Sequence, residues 1–159
     1  MASATGAMDL DLAAAATVVP APLLRGWLGT HGFQGGYSRV WASANTKTAE
    51  QVTVLAYRFF ADHDADAFVT YSADLAASSA YYTAGVDALV PGSRAFSLVT
   101  RGRSGTQFCG EELFSVYRDA FVVTRCAGFP VPQDSVARLA QRQLIHAVTV
   151  AATPSPSTP

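Results

Sequence analysis

Three scarcities narrow what this chain can be before any motif is considered. Its eleven basic residues include one lysine, Lys47, and they are balanced by twelve acidic residues for a net charge of −1. The two signs are interspersed, and no basic stripe is interleaved with aromatics, which excludes a nucleic-acid surface. There are two cysteines and three histidines, and with no histidine near either cysteine the ligand count falls short of a metal site. Long apolar runs are also lacking. The stretch 10–19 is far too short to span a bilayer, and with Asp9 before it, Asp11 inside it and no basic leader region it makes a poor signal peptide. Gly32, Gly35 and Gly36 lack dinucleotide-loop spacing and precede a strand instead of opening a helix. No cofactor is expected.

What is present is one domain's worth of core: 159 residues, half of them hydrophobic. Residues 1–19 read as a loose segment, with Thr17 to Val19 as a candidate edge strand, and residues 20–152 read as a single α+β domain. The closing TPSPSTP, residues 153–159, has the composition of an extended tail. Within the domain, Leu23, Leu24, Trp27 and Leu28 at helical spacing predict a helix over 20–30. Gly35-Gly36 then punctuates before a strand at 37–43, and Asn45-Thr46 marks a turn. Residues 51–60 are apolar on both parities, as a central strand covered on both faces would be. A helix over 64–77 follows from Phe68, Tyr71 and Leu75. Three more strands (94–101, 107–117, 121–127) and a helix over 134–151 complete the order α-β-β-α-β-β-β-α, a mainly antiparallel sheet of about five strands with helices packed on it.

Cys109 and Cys126 lie on the two arms of a predicted hairpin. With Arg118-Asp119 as the turn pair, Cys109 faces Gly128 and Cys126 faces Glu111, two residues out of register on one face. A diagonal bridge or a bulge at Gly110 then brings the thiols together. A disulfide implies an oxidising compartment; two buried thiols in a cytosolic core are the alternative. With the polar tail, the disulfide suggests an extracytoplasmic domain, secreted or membrane-tethered, whose leader lies outside this chain.

Few constellations survive a check of their chemistry. Asp62, Asp64 and Asp66 alternate like the start of a calcium loop, but Ala67 and Ala73 occupy the positions that require glycine and a bidentate glutamate. The aspartates suit a helix N-terminus instead. Ser104 in Gly102-Arg103-Ser104-Gly105 lacks nucleophile-elbow spacing. Glu111 and Glu112, adjacent on a strand, point to opposite faces and suit a solvated edge. Tyr37, Arg39 and Trp41 share one parity of the first predicted strand. An aromatic–arginine–aromatic row of this kind is typical of recognition surfaces, while the plain structural use is a partly buried row under a helix with Arg39 reaching out to water.

The run from Gly32 to Trp41, Tyr57-Arg58-Phe59-Phe60, Val90-Pro91-Gly92 and the Leu139–Gln143 stretch together resemble uncharacterised actinobacterial lipoproteins and extracytoplasmic domains, over residues 22–150. The lipobox cysteine such lipoproteins carry near the N-terminus is missing. The resemblance implies an envelope-associated, non-enzymatic α+β domain of the Mog1/PsbP-like sandwich type and supplies no catalytic residues. The function expected is therefore an extracytoplasmic binding or accessory domain that engages an envelope protein or a small ligand through Tyr37, Arg39 and Trp41. The rival is a small hydrolase or lyase with His63 or His146 as general base.

Overall fold

The computed structural model describes residues 5–17, 20–43, 50–79, 82–84, 90–102 and 105–152. Among the described residues, eleven elements follow in chain order: β1 (Gly6–Met8), α1 (Leu10–Ala15), α2 (Ala21–Thr30), β2 (Phe33–Ala42), β3 (Glu50–Phe59), α3 (Asp62–Ser78), β4 (Tyr82–Ala84), β5 (Arg94–Gly102), β6 (Gly105–Val116), β7 (Asp119–Ala127) and α4 (Gln133–Ala152). The strands form one antiparallel sheet in the order β1-β2-β3-β7-β6-β5-β4. The α+β class and the antiparallel sheet agree with the sequence reading, but the sheet has seven strands where about five were expected. The additions are the three-residue edge strands β1 and β4 and the six-residue helix α1, too short to show a period, so the order is β-α-α-β-β-α-β-β-β-β-α and not the expected α-β-β-α-β-β-β-α.

Helices α1, α2 and α3 pack on one face, and α4 packs on β6 and β7 of the other. The first face carries the larger core. In α3, Ala65, Phe68, Val69, Ser72, Ala73 and Ala76 form a buried stripe at helical spacing, while Asp62 and Asp64 occupy the first turn, where the helix dipole favours negative charge. No side chain caps this helix; its N-cap is Ala61. Phe68 lies against Tyr57, with ring centroids 4.6 Å apart, and Trp27 stacks on Tyr71 at 5.1 Å.

The N-terminal segment, expected to be loose, contributes to this core. Met8, Ala13 and Ala14 are buried, the Asp9 side chain caps α1 by accepting from the Leu12 N–H at 2.9 Å, and the buried Tyr57 hydroxyl donates to the Ala13 carbonyl at 3.2 Å. Alanine-rich sequence hides this role, because small side chains that let a helix sit close to a sheet leave little hydrophobic pattern. Gly35 and Gly36 are likewise inside β2, not a break before it. A Cβ on Gly36 would lie 2.7 Å from the Ala56 carbonyl oxygen and 2.9 Å from the Met8 side chain, so the glycine permits β1, β2 and β3 to close up. Thr17 lies in a bend; Val18, Val19, the Asn45-Thr46 turn, Arg103-Ser104 and the tail fall outside the described residues.

The β6–β7 hairpin turns at Tyr117-Arg118, one residue earlier than the expected Arg118-Asp119, with Val116 opposite Asp119. Tyr117 has φ 53°, a backbone conformation suited to a tight two-residue hairpin turn. The shift places Cys109 directly opposite Cys126, with Cα atoms 4.1 Å apart, and the two are disulfide-bonded with no bulge at Gly110. Gly110 has another use: a Cβ there would lie 2.6 Å from Val136 Cγ2, so its absence lets α4 rest on the sheet.

Glu111 and Glu112 do point to opposite faces, but neither is on a solvated edge, because β6 lies between β7 and β5. Glu112, on the α4 face, is 1% exposed and accepts from Ser93 Oγ at 2.8 Å. Glu111 lies beside the disulfide in a cavity of about 50 Å³ shared with Thr17, Gln51 and Thr124. Burial pushes its carboxyl up to about 7, only partly opposed by the hydrogen bond from Thr124.

Two outcomes follow. The disulfide closes a loop with a sequence separation of 17, which is worth ~3 kcal/mol in the chain-entropy account. The Cys109→Ala/Cys126→Ala variant should therefore melt about 10 °C lower, whereas an unchanged melt would mean that the bridge adds no stability. For Glu111, the folded state holds a proton that the unfolded chain releases above its ordinary value of 4.5. Stability should then fall as pH rises from about 4.5 to about 7, and burial of Glu112, which raises its carboxyl too, adds in the same direction. Glu111→Gln should flatten this slope and gain roughly 2 kcal/mol at neutral pH, as read from urea melts across the range.

Candidate functional site

On the α4 face, β3 presents Glu50, Val52, Val54, Ala56 and Arg58, the parity opposite to the core residues Leu55, Tyr57 and Phe59. The register sets Tyr37 beside Ala56, Arg39 beside Val54 and Trp41 beside Val52. The three residues of the row therefore stand along β3 on the same face as α4. That helix packs over β6 and β7, leaving the row uncovered: Tyr37 is 49% and Trp41 45% exposed. Arg39 is exposed too, with its guanidinium 5.0 Å from the Trp41 ring centroid, a cation–π geometry that holds both side chains in place.

The arrangement is a trough with β3 as its floor, the Tyr37–Arg39–Trp41 row along one side and α4 along the other. Two hollows lie in it. The first, about 380 Å³, lies between Tyr37, Ala56 and Arg58 on the sheet and Gln143, His146 and Ala147 on the helix. The second, about 320 Å³, lies between Glu50, Val52 and Arg125 on the sheet and Arg138, Leu139 and Arg142 on the helix. Both have the size of ordinary small-molecule sites, whereas the Glu111 cavity has room for little more than water.

Each hollow has an ion pair in its floor. Arg58 donates to Asp119 through Nε at 2.5 Å and Nη2 at 2.6 Å, a bidentate pair that raises the affinity of the guanidinium for its proton. Arg125 Nε donates to Glu50 Oε1 at 2.6 Å, and both of those side chains are largely shielded from solvent. Arg138 is held by Asp134 one turn earlier on α4. Among the described residues, no carboxylate lies within ion-pair distance of Arg39 or Arg142. The surplus charge of the trough is positive.

The histidines separate. His31 stacks on Trp27 at 3.9 Å, and its Nδ1 lies 2.8 Å from the Trp27 carbonyl at the end of α2. His63 is highly exposed, with Nε2 3.4 Å from Asp64 Oδ1 in the first turn of α3. His146 lies across the sheet from both, in the first hollow. Asp62, Asp64 and Asp66 also diverge: Asp62 faces Arg118 at 3.9 Å, Asp64 faces His63, and Asp66 accepts from Ser115 of β6. Sequence reasoning placed the row on one strand face but missed the floor pairs and Arg142. Their partners are 61 and 75 positions apart in the chain, and only strand pairing brings them together.

No protein-family model and no curated protein matches the chain. Among solved structures, it is similar to the extracellular domain of PknH from Mycobacterium tuberculosis, with a TM-score of 0.54 over 87% of this chain and 76% of that one, at 15% identity. At that identity the likeness is one of fold.

Proposed function

We propose that the chain is a non-enzymatic extracytoplasmic binding domain and that the trough between β2 and α4 is its ligand site. The observation that carries this reading is the exposure of Tyr37 and Trp41 on an uncovered part of the sheet, beside two hollows with charged hydrogen-bonding groups in their floors. Aromatic anchors with arginine supply contact area and directed hydrogen bonds at little entropic cost. The compartment is supported by the Cys109–Cys126 bridge and by the similarity of fold to an extracellular domain from an actinobacterium. Attachment to the cell envelope, with an envelope protein or a small ligand as partner, belongs to the same reading. So does a Mog1/PsbP-like relationship, for which the helix–sheet–helix layering is the support.

A hydrolase or lyase with His146 as general base is the second reading, favoured by the position of that imidazole in the first hollow with the Arg58–Asp119 pair.

The test is a panel of envelope glycans, peptides and small metabolites screened against the full chain. Wild type should bind at least one member, and Arg39→Ala/Trp41→Ala should weaken that binding by ~2 kcal/mol or more with an unchanged melting temperature. His63→Ala should bind as wild type does. Retained binding in the double variant would place the ligand elsewhere, and turnover of a panel member that is lost in His146→Ala would favour the second reading.

A further inference from the structure

We infer that the trough is built for an acidic polysaccharide, a chain of sugar rings bearing carboxylates; this rests on the trough being the ligand site. Three observations point to that class. The first is length. Tyr37 and Trp41 are four residues apart on an extended strand, about 13 Å, and the two hollows follow one another along the same strand and the same helix. A single small molecule would fill one hollow, whereas an oligomer would occupy both.

The second is the chemistry of the floor. Arg58–Asp119 and Arg125–Glu50 each set a guanidinium beside a carboxylate, so each offers a donor next to an acceptor. Neighbouring hydroxyls on a sugar ring, each able to donate and to accept, match such a couple. The exposed aromatic rings of Tyr37 and Trp41 suit the apolar C–H faces of the same rings. A peptide strand would instead need a row of free backbone groups, and the backbone of β3 is already paired on both sides, with β2 and β7.

The third is charge. Arg39 on the sheet side and Arg142 on the helix side have no carboxylate partner among the described residues. They flank the part of β3 that holds Val52 and Val54. Two guanidiniums without a carboxylate partner, over a floor whose own charges cancel, call for anionic groups on the ligand, and planar carboxylates suit guanidinium geometry.

The probes are a galacturonate tetrasaccharide, its uncharged methyl ester and tetraglutamate, titrated against the full chain by calorimetry at low and physiological salt. The acid form should bind, more weakly as salt rises. The ester should bind about tenfold more weakly, a difference that Arg39→Ala and Arg142→Ala each reduce by removing a charged contact. Trp41→Ala should weaken both saccharides. Equal binding of acid and ester, with Trp41→Ala still weakening both, would overturn the acidic class and leave the trough as the site. Tetraglutamate binding as tightly as the uronide would overturn the saccharide class. Uronide binding untouched by all three substitutions would remove the trough itself, and no uronide binding at millimolar concentration would overturn the proposal.

Discussion

A seven-stranded sheet is about 29 Å across at ~4.8 Å per strand, whereas a helix covers a strip of only about 10 Å. Among the described residues, three helices lie on one face and one on the other. The first face closes around Tyr57, Phe59, Phe68 and Trp27; the second is covered over β6 and β7 and left open over β2. The trough is the direct product of that unequal allotment. Its side chains are a mixture that tolerates water, because the row pairs two half-exposed rings with a guanidinium and the floor carries charges that are already partnered.

The rigidity of the floor comes from the middle of the sheet. β3 is paired on both sides along nearly its whole length, and its Gln51 neighbours Cys126, so the disulfide ties β7 to β6 at the end of the sheet where the second hollow lies. At the other end, the Arg58–Asp119 pair links β3 to the hairpin turn. Gly110 lets Val136 reach the sheet and thereby seats the N-terminal half of α4. The width of the trough thus depends on one glycine and on strands locked at both ends, the preorganisation a binding surface needs.

Much of this was legible in the sequence. The apolar pattern of 51–60 identified an interior strand, although full cover on both faces was expected and only the Leu55–Tyr57–Phe59 parity is buried while the other floors the trough; the spacing of Phe68 in its helix identified the core face. Position in the sheet was less visible. Glu111 and Glu112 look like surface residues until β5 and β7 are known to flank them, and the hairpin turn was misplaced because Arg118-Asp119 resembles a turn pair, whereas a tyrosine at positive φ seldom does. The row Tyr37, Arg39, Trp41 was readable as one face of one strand. Whether a helix covers it depends on where α4 lands, 94 residues beyond Trp41 at Ser135, and no local pattern encodes that.

The central claim is that the β2 side of the α4 face lies open to solvent, and it can be measured without any ligand. The chain has two tryptophans, so a Trp27→Phe variant leaves Trp41 as the sole indole, read by excitation at the red edge of the absorption band, where the tyrosines do not absorb. Acrylamide quenching should then approach that of an exposed indole, with red-shifted emission, in a protein that still melts cooperatively. Blue-shifted emission that resists quenching would contradict the account, because it would mean that Trp41 is covered and that the trough is closed.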